Sequence, residues 1–128
     1  MLASWFTATQ EAEITGSVTR YDAGLMEQVA VNRGIITDTQ LFDDWLALHN
    51  YDGMVALQRK ADLFRTVYID GERFFVVDCR QLAHYPGPHV VEVGYPTARR
   101  WLDRGPWPAA VTVSFTPPPS RRRAGLPQ

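Results

Sequence analysis

The chain has 128 residues, 45% of them hydrophobic and 21% charged, and its longest apolar runs fall well short of the roughly 20 residues that a membrane-spanning helix needs. This length predicts one domain, residues 1–116, that buries about two-thirds of its unfolded surface. All 14 acidic residues but only ten of the 13 basic residues precede Pro117, so this body carries a net charge of −4. An acidic body argues against a nucleic-acid partner on it.

The two ends of the chain differ in character. Residues 1–10 lack the basic start and the long apolar core of a signal peptide. Residues 117–128 are rich in proline and contain Arg121, Arg122 and Arg123, so we expect a disordered or extended tail. Its charges are either a solvated run or a contact for an acidic polymer or a partner.

The first third of the chain contains one strand, a stretch with little regular pattern and one helix. Residues 2–9 are predicted to form a strand, and residues 11–21 either an excursion or a weak strand. Residues 23–32 have the spacing of an amphipathic helix, with Asp22 as its N-cap and Gly34 at the position that ends it.

A second helix is predicted from residue 37 to about residue 50. Thr37 and Gln40 have the spacing of a capping box. Its apolar stripe, expected to dock on the rest of the domain, is Leu41, Phe42, Trp45, Leu46 and Leu48. Together the two helices form an insertion over about residues 23–50, followed by a buried strand at residues 54–57.

A hairpin follows, because Asp70-Gly71 supplies the two positive φ angles of a type I′ turn between residues 66–69 and 73–77. The second arm is apolar on both faces until Asp78, which is typical of a central strand. Alternation places Asp78 on the side of Phe74 and Val76, and Cys79 on the opposite side.

The last part repeats this arrangement. Residues 89–93 form an apolar strand that contains Glu92, and Pro96 begins a short helix. The predicted inner side of that helix is Ala98, Trp101 and Leu102. Residues 109–115 are predicted as a final strand.

Several short motifs, in this order, resemble the double-psi β-barrel of rare lipoprotein A and of the three-aspartate barrels in lytic transglycosylases. They are ASWF at residues 3–6, MVAL at 54–57, TVYI at 66–69, FFVVDC at 74–79 and VVEVGYPTARRW at 90–101. The resemblance covers about half of the chain. It implies a mainly β (α+β) fold, a small six-stranded double-psi barrel with two to three helices inserted or packed on its outside.

By position, Asp78 matches the aspartate of the family's V-x-D-R-G-P motif and Glu92 matches that of I-D-L-S. The resemblance therefore implies peptidoglycan glycan cleavage outside the cytoplasm or in the cell envelope, with Asp78 as general acid and Glu92 assisting. The chain departs from the family in three places. Residues 79–81 are Cys-Arg-Gln instead of R-G-P, the segment that carries a further acid has no counterpart, and the family's histidine is absent near residues 54–57.

The two acids, Asp78 and Glu92, have a chemical and a structural interpretation. Two partly buried carboxylates on neighbouring strands repel each other, so that one pKa rises and leaves a proton donor near neutral pH. Alternatively, Asp78 caps backbone amides of the bridge that follows it, and Glu92 pairs with Arg99 or Arg100. The first interpretation predicts an enzyme and the second a structural pair.

Other side chains are weaker candidates. Tyr85, Tyr95 and Trp107, together with His84, are the predicted substrate-binding residues, because aromatic rings stack on sugars, although large aromatics in a small barrel are also core residues. Cys79 with His84 and His89 is compatible with a thiol nucleophile, or with a metal when Asp78 is added, but the spacing matches no closed metal site. We expect no metal and no cofactor.

Two functions from different classes remain open. One is a lytic transglycosylase-like enzyme. The other is a non-catalytic barrel that binds glycan or serves as a structural module of an envelope, filament or virion assembly, with glycan polymer or other subunits as partners. The sequence does not determine the oligomeric state.

Overall fold

The computed structural model describes residues 13–80 and 89–118. The strands are β1 (Glu13–Arg20), β2 (Gly53–Leu57), β3 (Thr66–Ile69), β4 (Glu72–Cys79), β5 (His89–Val93) and β6 (Val111–Ser114). The helices are α1 (Leu25–Asn32), α2 (Phe42–Leu48) and α3 (Tyr95–Arg104), with 3-10 turns at Thr39–Leu41 and Lys60–Asp62. The predicted fold class, a small α+β barrel of six strands with helices on its outside, is confirmed.

The six strands close into a barrel in the order β1-β5-β2-β4-β3-β6. β1 pairs in parallel with β5, and β2 with β4, whereas the other four pairings are antiparallel. This mixed pairing is compatible with a double-psi barrel. Closure removes free sheet edges, which would otherwise invite pairing with other chains.

The β3–β4 hairpin turns at the predicted residues. Asp70 has φ 53° and Gly71 has φ 82°, as a type I′ turn requires. Ile69 pairs with Glu72 on either side of this turn. β4 then lies between β3 and β2, and residues 74–77 are buried, which confirms the central strand.

Two apolar clusters hold the fold together. The first fills the barrel with residues from all six strands and adds Ala98 and Trp101 from α3. The second lies between the barrel wall and the helices α1 and α2, with Met26 and Phe42 packed against Met54 and Phe75. Fully burying a side chain of this size stabilises a fold by about 1.5–3 kcal/mol, so both helices contribute substantially to stability.

Of the two predictions for residues 11–21, an excursion or a weak strand, the structure shows the strand, β1. It is an eight-residue strand that pairs with β5 on one side and β6 on the other. Its polar residues alternate with Ile14 and Val18, so few of its side chains can enter the core. The strand predicted at residues 2–9 lies outside the described residues.

The helix caps differ from those predicted. Gly24, with φ 82°, is the N-cap of α1, and Asp22 instead accepts a backbone hydrogen bond from Leu25. Asp38, not Thr37, caps the next segment by accepting a 2.8 Å bond from the amide of Gln40. Gly34 has the positive φ expected just after α1.

The apolar stripe of the second helix is narrower than predicted. Phe42 and Leu46 are buried, whereas Leu41 is 42% exposed and Leu48 is 77% exposed. The reason is that about 100° per residue places Leu48 about 120° around the helix from Phe42, and that Leu41 belongs to the preceding 3-10 turn. The docked face of α2 is therefore confined to its centre.

The helix α3 sits close to the start of β2. A Cβ atom on Gly53 would lie 2.5 Å from Oγ1 of the buried Thr97, so this approach requires glycine. Ala98 and Trp101 are buried as predicted, but Leu102 is 51% exposed. β6 is shorter than the strand predicted at residues 109–115. No helix in residues 13–80 and 89–118 has the length and apolar character to cross a membrane.

Candidate functional site

The two predicted carboxylates lie on the strands that flank β2. Ala56 of β2 is the register partner of Asp78 on one side and of Glu92 on the other. Their Cα atoms are therefore two strand spacings apart, roughly 10 Å. Ala56 packs with Met26 and Ala30 of α1, so this row of residues faces the helix-covered side of the barrel.

A β-bulge turns Asp78 toward that side. Val55 pairs with Val76, but the next residue, Ala56, pairs with Asp78, so Val77 is an extra residue in β4. Simple alternation placed Asp78 with Phe74 and Val76, and this prediction is wrong. The bulge brings the carboxylate into the same layer as Ala56.

Both oxygens of Asp78 accept hydrogen bonds from side chains. The Tyr21 hydroxyl donates to Oδ2 over 2.6 Å, and Nη2 of Arg33 donates to Oδ1 over 2.7 Å. Tyr21 directly follows β1, and Arg33 is the C-cap of α1. The Asp78 carboxylate therefore connects β4 to the segment between β1 and α1 and to the C-terminal end of α1.

These contacts set the charge of Asp78. Burial disfavours the ionised carboxylate, but the hydrogen bonds from Tyr21, Arg33 and the backbone of Cys79 outweigh burial and hold the pKa of Asp78 below its ordinary value. Burial, together with the neighbouring Asp78, raises the pKa of the Tyr21 phenol far above its ordinary value. Tyr21 thus remains a neutral donor and Asp78 an ionised acceptor.

Glu92 has the opposite character. It is only 3% exposed, and Nη1 of Arg80 lies 3.3 Å from its Oε1. Within the described residues this oxygen accepts no hydrogen bond. Burial raises the pKa of Glu92; Arg80 counteracts this, while the charges of Asp78 and Asp22 add to it. The environments therefore push the pKa values of Asp78 and Glu92 apart.

The predicted partners of the two acids are wrong in one case and incomplete in the other. Glu92 pairs with Arg80, because Arg80 directly follows β4, whereas Arg100 binds Glu72. Asp78 does interact with the backbone of Cys79, but its side-chain partners come from β1 and α1. The guanidinium of Arg80 also lies 5.1 Å from the ring centroid of Tyr21, so we call these five residues the carboxylate cluster: Tyr21, Arg33, Asp78, Arg80 and Glu92.

Two of the four predicted substrate-binding residues, His84 and Tyr85, lie outside the described residues, so a shared binding surface stays a prediction. Tyr95 is half-buried at the start of α3, with the Arg20 guanidinium 5.7 Å from its ring centroid. Trp107 packs against the barrel core, and its Nε1 donates to the carbonyl of Val18 over 3.2 Å.

The cysteine has a structural contact. The Cys79 thiol donates to the carbonyl of Gln58 over 3.3 Å. Nδ1 of His89 lies 3.0 Å from the hydroxyl oxygen of Ser17. In residues 13–80 and 89–118, no group of three or more His, Cys, Asp or Glu side chains has an arrangement that could hold a metal ion.

Tyr21, Arg33 and Arg80 are the members of the cluster that sequence reasoning missed. A basic residue at the end of a helix is common, because it interacts favourably with the helix dipole. Such a residue gives no sign of a partner 45 positions further along the chain. Only the bulge at Val77 and the packing of α1 bring it to Asp78.

Comparison of the chain with profiles of known protein families, with curated proteins and with solved structures gives no match. The closed barrel and the carboxylate cluster are therefore the findings from which a function has to be inferred.

Proposed function

We propose that this protein is a non-catalytic barrel that binds cell-wall glycan. The observation that carries the proposal is that both carboxylate oxygens of Asp78 already accept hydrogen bonds, from Tyr21 and Arg33. A general acid needs a proton on an oxygen that reaches the substrate, and the lowered pKa keeps Asp78 ionised at neutral pH. Asp78, which the resemblance assigns as the general acid, instead binds Arg33 at the end of α1.

The glycan comes from the resemblance to rare lipoprotein A-like barrels, and the missing acid and histidine fit a barrel that retains binding without cleavage. Its setting under this proposal is an extracytoplasmic or envelope location, where it binds peptidoglycan or joins an envelope, filament or virion assembly. The closed barrel and the pairing of its strands support this scaffold.

Glu92 favours a second candidate, lytic transglycosylase-like cleavage. Its pKa is raised by burial, and its Oε1 accepts no hydrogen bond within the described residues. Two carboxyl groups whose pKa values are pushed apart are a common acid–base arrangement. Under this candidate Glu92, and not Asp78, would donate the proton, and Arg80 would have to move aside for the substrate.

Purified sacculi distinguish the two candidates. We expect the wild-type protein to sediment with sacculi and to release no soluble muropeptides at about pH 5 or about pH 7, two values above the ordinary glutamate pKa of about 4.3. Glu92→Gln should bind as the wild type does. Asp43→Asn is the matched control, because it changes an exposed carboxylate on α2.

Release of muropeptides that is abolished by Glu92→Gln and retained by Asp43→Asn would establish the second candidate. Absence of any binding to sacculi would reject the proposed function.

A further inference from the structure

A cleft of about 550 Å³ lies on the flank of the barrel where β3, β6 and α3 meet. Its volume is within the range of sites that hold small ligands, about 300–1,000 Å³. Val111 contributes apolar surface together with Pro106 and Pro108 of the loop between α3 and β6, and the buried Ile69 and Trp101 lie beneath it. The carboxylate cluster contributes no residue to its lining.

The walls of this cleft are held in place by residues that do not depend on a ligand. The Nε1 of Trp101 donates to Glu72 over 2.9 Å. Trp107 anchors the loop from between the two prolines, because its ring packs on the core and its Nε1 donates to Val18. Proline restricts the backbone of the same loop. A preformed site loses little entropy when it binds a ligand.

The polar groups of the cleft balance one another in charge. Asp70, Arg104 and Thr112 line it. Arg104 forms an ion pair with Glu72, which also binds Arg100. One carboxylate, that of Asp70, and one guanidinium, that of Arg104, therefore line the cleft, and neither a cation nor an anion is favoured as a ligand. A neutral ligand with hydroxyl and amide groups on an apolar ring matches this combination of charge, donors, acceptors and apolar wall.

We propose that this cleft binds an uncharged stretch of N-acetylated oligosaccharide. The C–H face of a sugar ring packs on Pro106, Pro108 and Val111, and its hydroxyl and acetamido groups bond to Asp70, Arg104 and Thr112. This inference rests on the proposed function. It places glycan binding beside α3, on a different flank of the barrel from the carboxylate cluster.

The test is a titration of the full chain with N-acetylglucosamine tetramer, followed by NMR of the backbone amides and the indole N–H groups. The shifts should concentrate at Ile69, Thr112 and the Trp101 indole. Because the ligand is neutral, the affinity should change little between about 50 and 500 mM NaCl, where screening weakens binding between charges.

Two neighbouring alanines provide a matched pair of variants. Ala110 lines the cleft, whereas Ala109 is equally exposed and does not. Ala110→Trp should fill the space and weaken binding by about tenfold or more, and Ala109→Trp should leave it within about twofold. Thr112→Val, which keeps the shape and removes the hydroxyl, should weaken binding less than Ala110→Trp. Thermal unfolding of each variant checks that the fold is intact.

Equal affinities of the Ala110→Trp and Ala109→Trp variants would overturn the inference, as would shifts outside the cleft or tight binding of a sugar-free stem peptide in its place. If the wild-type protein binds sacculi and Ala110→Trp binds them equally well, the cleft is wrong and the proposed function stands. If the wild type binds neither sacculi nor the tetramer, both fail.

Discussion

Two flanks of the barrel use a carboxylate to hold a helix, and they differ in what they leave open. On the first flank, Asp78 binds Arg33 at the end of α1 and Tyr21 beside it, and the surrounding layer is filled by apolar side chains. On the second flank, Glu72 binds Arg100 and Arg104 of α3 together with the Trp101 indole, and a cleft lies beside them.

Among the described residues, the perturbed pKa values and the cleft lie on different flanks. On the first flank, ion pairs with Arg33 and Arg80 hold Asp78 and Glu92. The flank with the cleft has a carboxylate clamp whose cations are about half exposed. The acids of the first flank and the cleft of the second can therefore be tested separately.

The largest expected effect is that of Asp78→Asn. The change replaces an acceptor of two strong hydrogen bonds, so we expect a loss of about 1–3 kcal/mol of unfolding free energy near neutral pH. Because the pKa of Asp78 is lowered in the folded state, this stabilisation is present above the unfolded pKa of about 3.9 and is lost as the pH falls through the folded pKa. Urea unfolding at several pH values measures both the size and the trend.

Asp70→Asn is the control for that measurement, because asparagine tolerates the positive φ of Asp70. It should change the stability by less than about 0.5 kcal/mol. An Asp78→Asn protein as stable as the wild type would show that the bonds from Tyr21 and Arg33 to Asp78 do not stabilise the fold.

A smaller loss, about 1 kcal/mol, is expected for Glu72→Gln. Its arginine partners are 40% and 52% exposed, so solvent screens these ion pairs. Glutamine can still accept a bond from the Trp101 indole. Thermal unfolding should show the loss decreasing with added salt. A loss as large as that of Asp78→Asn and independent of salt would contradict the distinction between the two flanks.

The smallest effect, and one of opposite sign, is expected for Glu92→Gln. A raised folded pKa means that Glu92 favours folding below its unfolded pKa of about 4.3, and that this contribution is lost as the pH rises through the folded pKa. Removing the charge should therefore stabilise the protein slightly, by less than about 1 kcal/mol, at about pH 7 and have little effect near pH 4. The difference in melting temperature between the two pH values measures it. Destabilisation at pH 7 would mean that the Arg80 ion pair outweighs burial.

Local signals were sufficient for part of this architecture. The Asp70-Gly71 turn, the buried strand at Met54 and the two acid-bearing strands each have a short-range cause in turn geometry or apolar alternation. The sequence does not distinguish a strand from an excursion at β1, because Thr15 and Ser17 give it little apolar character. Its strand conformation depends on partners about 70 to 100 residues away.

The candidate site was predictable only as two residues. Asp78 and Glu92 could be singled out because each interrupts an apolar run. Their partners could not, since a single-residue bulge in β4 decides which face Asp78 occupies, and the packing of α1 decides that Arg33 reaches it. The exposure of Leu48 has a different cause, because the α-helical period places it about 120° from Phe42, outside the docked face.

The pairing of β1 with both β5 and β6 has a consequence for how the protein is made. Synthesis at about 5–20 residues per second separates the emergence of β1 from that of β6 by several seconds, and for most of this time β1 has neither neighbour, because β5 precedes β6 by only about 20 residues. The β3–β4 hairpin can form from local contacts, but the barrel can close only after Ser114 has emerged, so we expect closure to come late and folding to be slow. The same polar residues that obscure β1 in the sequence, Thr15 and Ser17, keep the waiting strand from pairing with other nascent chains.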